Sequence, residues 1–252
     1  MMTGKPRPGA AIVIGATSRT GREIARRLLR EGWSVTLSAR RLERAEEVAE
    51  VLSGEAQAEG RVDGVAALDL RDEASIASFL ANRSTDASLD LLVVAGAPFK
   101  EQPIESWTME DFLEHAAAQA AGPALLASGL RESLARCDRP GGATVVLFGD
   151  IHARLRPRSG ATPYLLGKAA LESLVPSLAI DLAPSRVFGI SPGVIAWAEE
   201  FDEARRERYL ERVPLGRAGT VEEAASLVVA LTDAVTYTTG IVIPIDGGRH
   251  LR

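Results

Sequence analysis

The chain has 252 residues, 46% hydrophobic and 25% charged, the make-up of an ordinary soluble globular protein and not of a disordered or fibrous one. A net charge of −5 and three scattered histidines supply no basic field for nucleic acid. The single cysteine, Cys137, excludes an intrachain disulfide and a cysteine-based metal cluster; no metal site is expected, and a reducing, cytoplasmic setting fits.

Residues 1–8 are polar, carry two prolines and read as a flexible N-terminal tail, with no signal-peptide cleavage pattern after them. No apolar stretch of about 18 residues is present to cross a bilayer, so no membrane is expected as a partner. Ala10 to Ile14 is a short β-branched run bounded by glycine, which suits a strand buried on both faces. The turn Gly15-Ala16-Thr17-Ser18-Arg19-Thr20-Gly21 follows, and the apolar spacing of Ile24, Ala25, Leu28 and Leu29 predicts a helix over Arg22 to Glu31. Val35 to Ala39 is the second strand, with Arg40-Arg41 at its end, and Leu42 to Leu52 the second helix. Val62 to Leu68 closes in Asp69, and Asp72 opens a helix to about Ala81. Leu89 to Ala95 is the fourth strand, ending in Gly96, and a long helix follows from about Met109 to Ala135, bent at Gly122-Pro123. Ala143 to Phe148 ends in Gly149-Asp150; the next helix runs from Thr162 or Pro163 to near Ala183-Pro184, and Val187 to Ile190 precedes Ser191-Pro192-Gly193. Residues 194–219 show no strand pattern and read as short helices over the site, a substrate lid. Thr220 and Glu223 make a capping box for a helix to about Leu231, and Ile241 to Ile245 is the last strand.

This alternation, without a linker, predicts one domain over residues 9–252, a Rossmann-like doubly wound parallel α/β sheet of about seven strands with helices on both faces. Ligands of such sheets sit beyond the carboxyl ends of the strands, so Gly15, Arg40, Asp69, Gly96, Asp150 and Pro192 are expected to converge on one cleft. Gly15 and Gly21, six apart around Arg19, are not the G-x-G-x-x-G fingerprint, yet a glycine turn between strand and helix makes an anion site. The second strand ends in arginine where NAD binders place a carboxylate, which points to NADPH, with Arg19 as a second cation nearby; a solvated arginine pair is the bland alternative. Tyr164 and Lys168 stand four apart on one helical face, where an ammonium beside a phenol favours its ionised form and suits acid/base work. The same pair is also the pattern of a half-buried aromatic beside a solvated charge.

Taken together in order, these pieces resemble the short-chain dehydrogenase/reductase family from Ala10 to Gly248: the loop Gly15 to Gly21, Asp69, Ala95-Gly96, Tyr164-x-x-x-Lys168, Ser191-Pro192-Gly193 and Asp246-Gly247-Gly248. Arg19 inside the loop, Asp150 in place of a serine, and the ending Asp246 to Arg252 resemble pteridine reductases and bacterial dihydromonapterin reductases. The resemblance implies an NADPH-dependent reductase of a pterin-type substrate. It implies cofactor contacts from Gly15, Ser18, Arg19, Gly21, Arg40, Asp69 and Gly96, and also from Tyr164, Lys168, Pro192 and Gly193. Tyr164 would donate the proton and Lys168 would hold the ribose and lower the phenol's pKa, while Asp150 hydrogen-bonded to Tyr164 would relay the proton to a pterin. Gln119 stands where the family commonly has asparagine, in a water relay, and the fourteen residues from Asp150 to Tyr164 include a one-residue insertion. His152 is an alternative to Asp150 for facing the substrate. Phe99 or Trp197 would stack on the substrate, or serve only as a core or lid aromatic. Family members are usually tetramers, so a homotetramer or dimer is implied, and Arg252 would approach a neighbour's site. Rival readings are an NADPH-dependent reductase of 3-oxoacyl thioesters, ketones or sugars, the reverse alcohol oxidation, and a dinucleotide-binding regulator with little turnover.

Overall fold

The computed structural model describes residues 9–55, 59–84, 86–96, 99, 101–197 and 201–252, so the tail expected over residues 1–8 lies outside the described residues. The first half alternates β1 (Ala10–Ile14), α1 (Arg19–Arg30), β2 (Ser34–Ala39), α2 (Leu42–Ser53), β3 (Arg61–Ala67), α3 (Glu73–Ala81) and β4 (Leu91–Val94). The second half begins with α4 (Met109–Ala116), a π-helical turn (Ala117–Ala121), α5 (Gly122–Gly129) and α6 (Arg131–Ala135). It continues through β5 (Thr144–Phe148), α7 (Ile151–Arg154), α8 (Thr162–Asp181), β6 (Arg186–Pro192), α9 (Glu203–Leu210), α10 (Val221–Asp233) and β7 (Ile241–Ile245). The seven strands form one parallel sheet in the order β3-β2-β1-β4-β5-β6-β7. Among the described residues no helix is long and apolar enough to cross a membrane.

Side chains that alternate along the strands fill two cores, one on each face of the sheet. Ala11 and Val13 of β1, Leu91 and Val93 of β4, and Val146 and Phe148 of β5 pack with α1, α2 and α10. Their neighbours Ile12, Ile14, Leu92, Val94, Val145 and Leu147 pack on the other face with α3, α5 and α8. Strands buried on both faces read as continuous apolar runs, which is why the sequence places them within a few residues. The sheet reverses its winding between β1 and β4, and the carboxyl ends of those two strands frame the crevice where such folds take ligands.

Two boundaries differ from the expectation for a local reason. Helix α1 starts at Arg19 and not Arg22, because the Ser18 side chain caps it by accepting the Gly21 N–H at 2.9 Å. Gly21 therefore lies in the first turn of the helix, where an added Cβ would come within 2.3 Å of the Gly15 carbonyl oxygen. The long helix loses its regularity at Ala117–Ala121, just before Gly122-Pro123. Pro123 has no N–H to donate to the preceding turn, and the wider π turn takes up that irregularity. The capping box at Thr220 and Glu223 forms as expected, and α9, capped by Asp202, is the one helix over 201–219.

Candidate active site

Helix α8 places Tyr164, Lys168 and Glu172 on successive turns of one face, and all three are buried. The helix sits close against α4: a Cβ on Gly167 would meet the His115 carbonyl oxygen at 2.5 Å, so only glycine permits this approach. The Tyr164 hydroxyl donates to Asp150 Oδ2 at 3.0 Å. Asp150 ends β5, caps α7, and holds its Oδ1 on the His152 N–H at 2.8 Å. His152, the alternative partner, has its ring Nδ1 2.6 Å from the Arg156 carbonyl, and it is Asp150 that meets the phenol.

Electrostatics here depart from the sequence expectation. Burial first, and then the Asp150 carboxylate, hold the Tyr164 phenol well above its ordinary value, so it is a neutral donor near pH 7. Lys168 was expected to lower it. Instead the ammonium donates to the Phe148 carbonyl at 2.5 Å, with Nζ 5.9 Å from the Tyr164 ring centroid. Burial also brings Lys168 down to about 8, against the pull of Asp150 and Glu172.

Glu172 is a residue the sequence reading missed. Its Oε1 accepts the Asp150 N–H at 3.2 Å and the Ser191 hydroxyl, fixing the ends of β5 and β6 to each other. Burial pushes its carboxyl above the usual carboxylate range. The available signal was its spacing, one turn beyond Lys168. His115 was also missed: its ring meets Tyr164 edge-on at 5.8 Å, and burial pushes its pKa down, keeping it neutral. Gln119, in the π turn, lies 2.8 Å from His115 Nδ1 through Nε2, while its buried Oε1 has no partner among the described residues.

At the β1, β2 and β4 ends, a cavity of about 270 Å³ is lined by Gly15, Ser18, Arg40, Asp69 and Gly96, among others. Gly15 has φ +79°, and a Cβ there would stand 1.8 Å from the Ala95 carbonyl oxygen; Gly96 has φ +112° with Ser18 beside it. Backbone this close, at the start of a helix, is a cradle suited to a dinucleotide phosphate, and the residues fit such a cofactor. Arg71, which the sequence reading did not single out, lines the same cavity and forks onto Asp69, holding that carboxyl below the usual range. Arg19, expected as a second cation near Arg40, makes a contact across the crevice. Its guanidinium donates to the Trp197 carbonyl at 2.6 Å and so ties the glycine loop to the segment after β6.

A second, wider cleft of about 520 Å³ lies over Asp150 and Tyr164, with Phe99, Pro192, Gly193 and Trp197 in its lining. Phe99 meets the Tyr164 ring edge-on at 5.0 Å. Trp197 packs on Phe201 and Tyr209, and the Tyr209 hydroxyl accepts the Val194 N–H at 3.1 Å. The residues expected in one cleft thus divide between two cavities, Gly15, Ser18, Arg40, Asp69 and Gly96 in one, Asp150, Tyr164, Phe99, Pro192, Gly193 and Trp197 in the other.

Residues 15–250 match the family model described as enoyl-(acyl carrier protein) reductase. The protein FixR of Bradyrhizobium diazoefficiens is 38% identical over 132 residues, 51% of this chain, and the match spans under half of that relative, 46%. The 3-oxoacyl-(acyl-carrier-protein) reductase FabG of Pseudomonas aeruginosa is 27% identical over 96% of this chain and 97% of its own. A solved short-chain dehydrogenase/reductase from Serratia marcescens superimposes with a TM-score of 0.82 at 27% identity, covering 98% of this chain and 100% of that one.

Proposed function

The chain belongs to the short-chain dehydrogenase/reductase family, whose members are oxidoreductases using a nicotinamide dinucleotide, and on that premise we propose that it is an NADPH-dependent carbonyl reductase acting on a 3-oxoacyl thioester. The observation that carries this reading is the Tyr164 phenol, kept protonated by burial and lining the substrate cleft beside a buried lysine. When bound, the nicotinamide supplies the hydride that ends on the carbonyl carbon. Tyr164 turns its O–H from Asp150 to the carbonyl oxygen and gives up its proton, and the Lys168 ammonium, poised near pH 8, returns one. Gln119 holds a water in that return path, a role supported by its buried Oε1, which has no partner among the described residues. Arg40 at the end of β2, with no acid in the β2 end, supports NADPH over NADH through the 2′-phosphate. The described residues of 194–219 act as the lid of the cleft, through Trp197, Phe201 and Tyr209. Exposed Leu113, Leu125 and Leu166 on α4, α5 and α8 suit a helix-to-helix dimer or tetramer contact.

A second reading, reduction of a dihydropterin, is favoured by the Asp150–Tyr164 hydrogen bond, which offers a carboxyl and a phenol together to ring nitrogens and an amino group. Family membership favours turnover over the regulator. Wild type and Asp150→Ser are assayed with acetoacetyl-coenzyme A and with dihydrobiopterin, dihydromonapterin and dihydrofolate, each with NADPH and NADH. Thioester reduction with NADPH, retained in Asp150→Ser, is expected. Reduction of dihydropterins alone, lost by about 10²-fold in Asp150→Ser at unchanged NADPH affinity, would replace the first reading by the second.

A further inference from the structure

We propose that the substrate of the Tyr164 cleft carries an anionic group, a phosphate or a carboxylate, held by Arg249 with Arg208 and Arg212. The inference deepens the carbonyl-reductase reading and rests on that cleft being the substrate site.

Charge in the cleft is one-sided. Its described lining holds five arginines and one carboxylate, Asp150, which is already engaged by Tyr164 and the His152 N–H. Two of the five are occupied elsewhere: Arg158 lies over the Phe99 ring and bonds Glu101 at 3.2 Å, and Arg205 lies over Phe201 at 3.9 Å. Arg208, Arg212 and Arg249 form no ion pair with any described Asp or Glu side chain.

Arg249 is the informative member, because it is only 6% exposed. It opens the C-terminal 3-10 turn Arg249–Leu251, which follows Gly248 in the left-handed region at φ 83°. A Cβ on Gly248 would meet Pro214 Cγ at 2.9 Å, and the Leu215 N–H bonds the Gly247 carbonyl at 3.1 Å, so the tail is locked against the segment that roofs the cleft. The guanidinium lies over the Tyr209 ring at 5.2 Å and spends one nitrogen on the main-chain oxygen of the last residue, Arg252, at 2.9 Å, while its Nε is buried with no partner among the described residues. Burial and the like charges of Arg156 and Arg212 push its pKa down; Asp246, the opposing carboxylate, is held by the Gly248 and His250 N–H groups. A buried guanidinium with an Nε left unpaired is unfavourable by itself. An anion entering the cleft supplies the missing acceptor and offsets the arginine excess of the lining, and the planar guanidinium fork matches both carboxylate and phosphate.

The test compares kcat/KM for three acetoacetyl thioesters: of coenzyme A, which brings phosphates, of thioglycolate, which brings one carboxylate, and of uncharged N-acetylcysteamine. A charged thioester is expected to exceed the neutral one by about tenfold or more at low salt, and which one does so names the anion. That ratio should fall to within about twofold in Arg249→Gln and in the exposed double variant Arg208→Glu/Arg212→Glu, which stays informative if the buried substitution unfolds the chain. Equal kcat/KM for all three in wild type, or a preference that survives in the double variant, overturns the proposal. If no thioester is turned over, the carbonyl reading falls and the anion site is judged by calorimetric titration of inorganic pyrophosphate into NADP-saturated protein. Heat that disappears in the double variant then supports the site, and absence of binding to wild type removes it.

Discussion

The cavity at the ends of β1, β2 and β4 and the cleft over β5 and β6 are built by different means. The first is shaped by backbone: Gly15, Gly21 and Gly96 stand where any Cβ would meet main chain or the capping serine. The second is shaped by side chains from distant parts of the chain, with Asp150, Tyr164, Trp197, Tyr209 and Arg249 meeting in one lining. The difference teaches which changes each tolerates: the cofactor end fails when atoms are added, the substrate end when particular polar atoms are removed. Tyr164→Phe is the sharpest removal. It should lower kcat by about 10²- to 10⁴-fold while leaving NADPH affinity within about threefold of wild type, measured by single-turnover kinetics and fluorescence titration. Parallel collapse of cofactor binding would break the division between the two ends.

Addition is tested at Gly15. Its φ of +79° and the 1.8 Å approach to the Ala95 carbonyl make Gly15→Ala strained in two ways. A positive φ on a non-glycine residue costs about 1–3 kcal/mol, and relief of the clash must open the β1–β4 crevice. A fall in Tm of roughly 5–10 °C and an NADPH affinity weakened by about tenfold to hundredfold are expected, read by thermal melts and titration. A Gly15→Ala protein with normal cofactor affinity would show that the loop's fit is looser than its backbone contacts imply.

The same contrast explains what was legible in the sequence. Strands β1, β4 and β5, buried on both faces, are continuous apolar runs and could be placed without contacts, whereas the edge strands β3 and β7 are only partly buried and were read from apolar stretches between turns. Gly15 and the Tyr164–Lys168 face are local patterns and were readable for the same reason. Glu172 was missed although it continues that face, because its role depends on Ser191 and the Asp150 N–H, nineteen and twenty-two residues away. The contact of Arg19 could not be read either, because its partner is the Trp197 carbonyl across the crevice. Arg249 was noted only within the ending Asp246 to Arg252, and its burial shows only in the packing of that ending against Tyr209 and Pro214.

Lys168 gives the smallest and most particular prediction, because function and stability pull its proton in opposite directions. Burial lowers it to about 8 in the folded chain, whereas an unfolded lysine titrates near about 10.4. Below about pH 8 both states carry the charge and the folded state bears the cost of burying it. From there to about pH 10 the unfolded chain binds more protons at this position, so its contribution to stability rises with pH. Tyr164 has the opposite sign, its raised pKa favouring the fold until pH passes the unfolded phenol value of about 10, so the window should close there. Turnover needs the Lys168 proton and should decline as pH rises through about 8. Lys168→Met is therefore expected to be more stable than wild type at pH 7, with the gap in denaturation free energy narrowing by pH 10 as wild-type activity declines. A gap that is constant with pH would mean that the ammonium is solvated in the folded chain, and the return of the proton to Tyr164 would then need another donor.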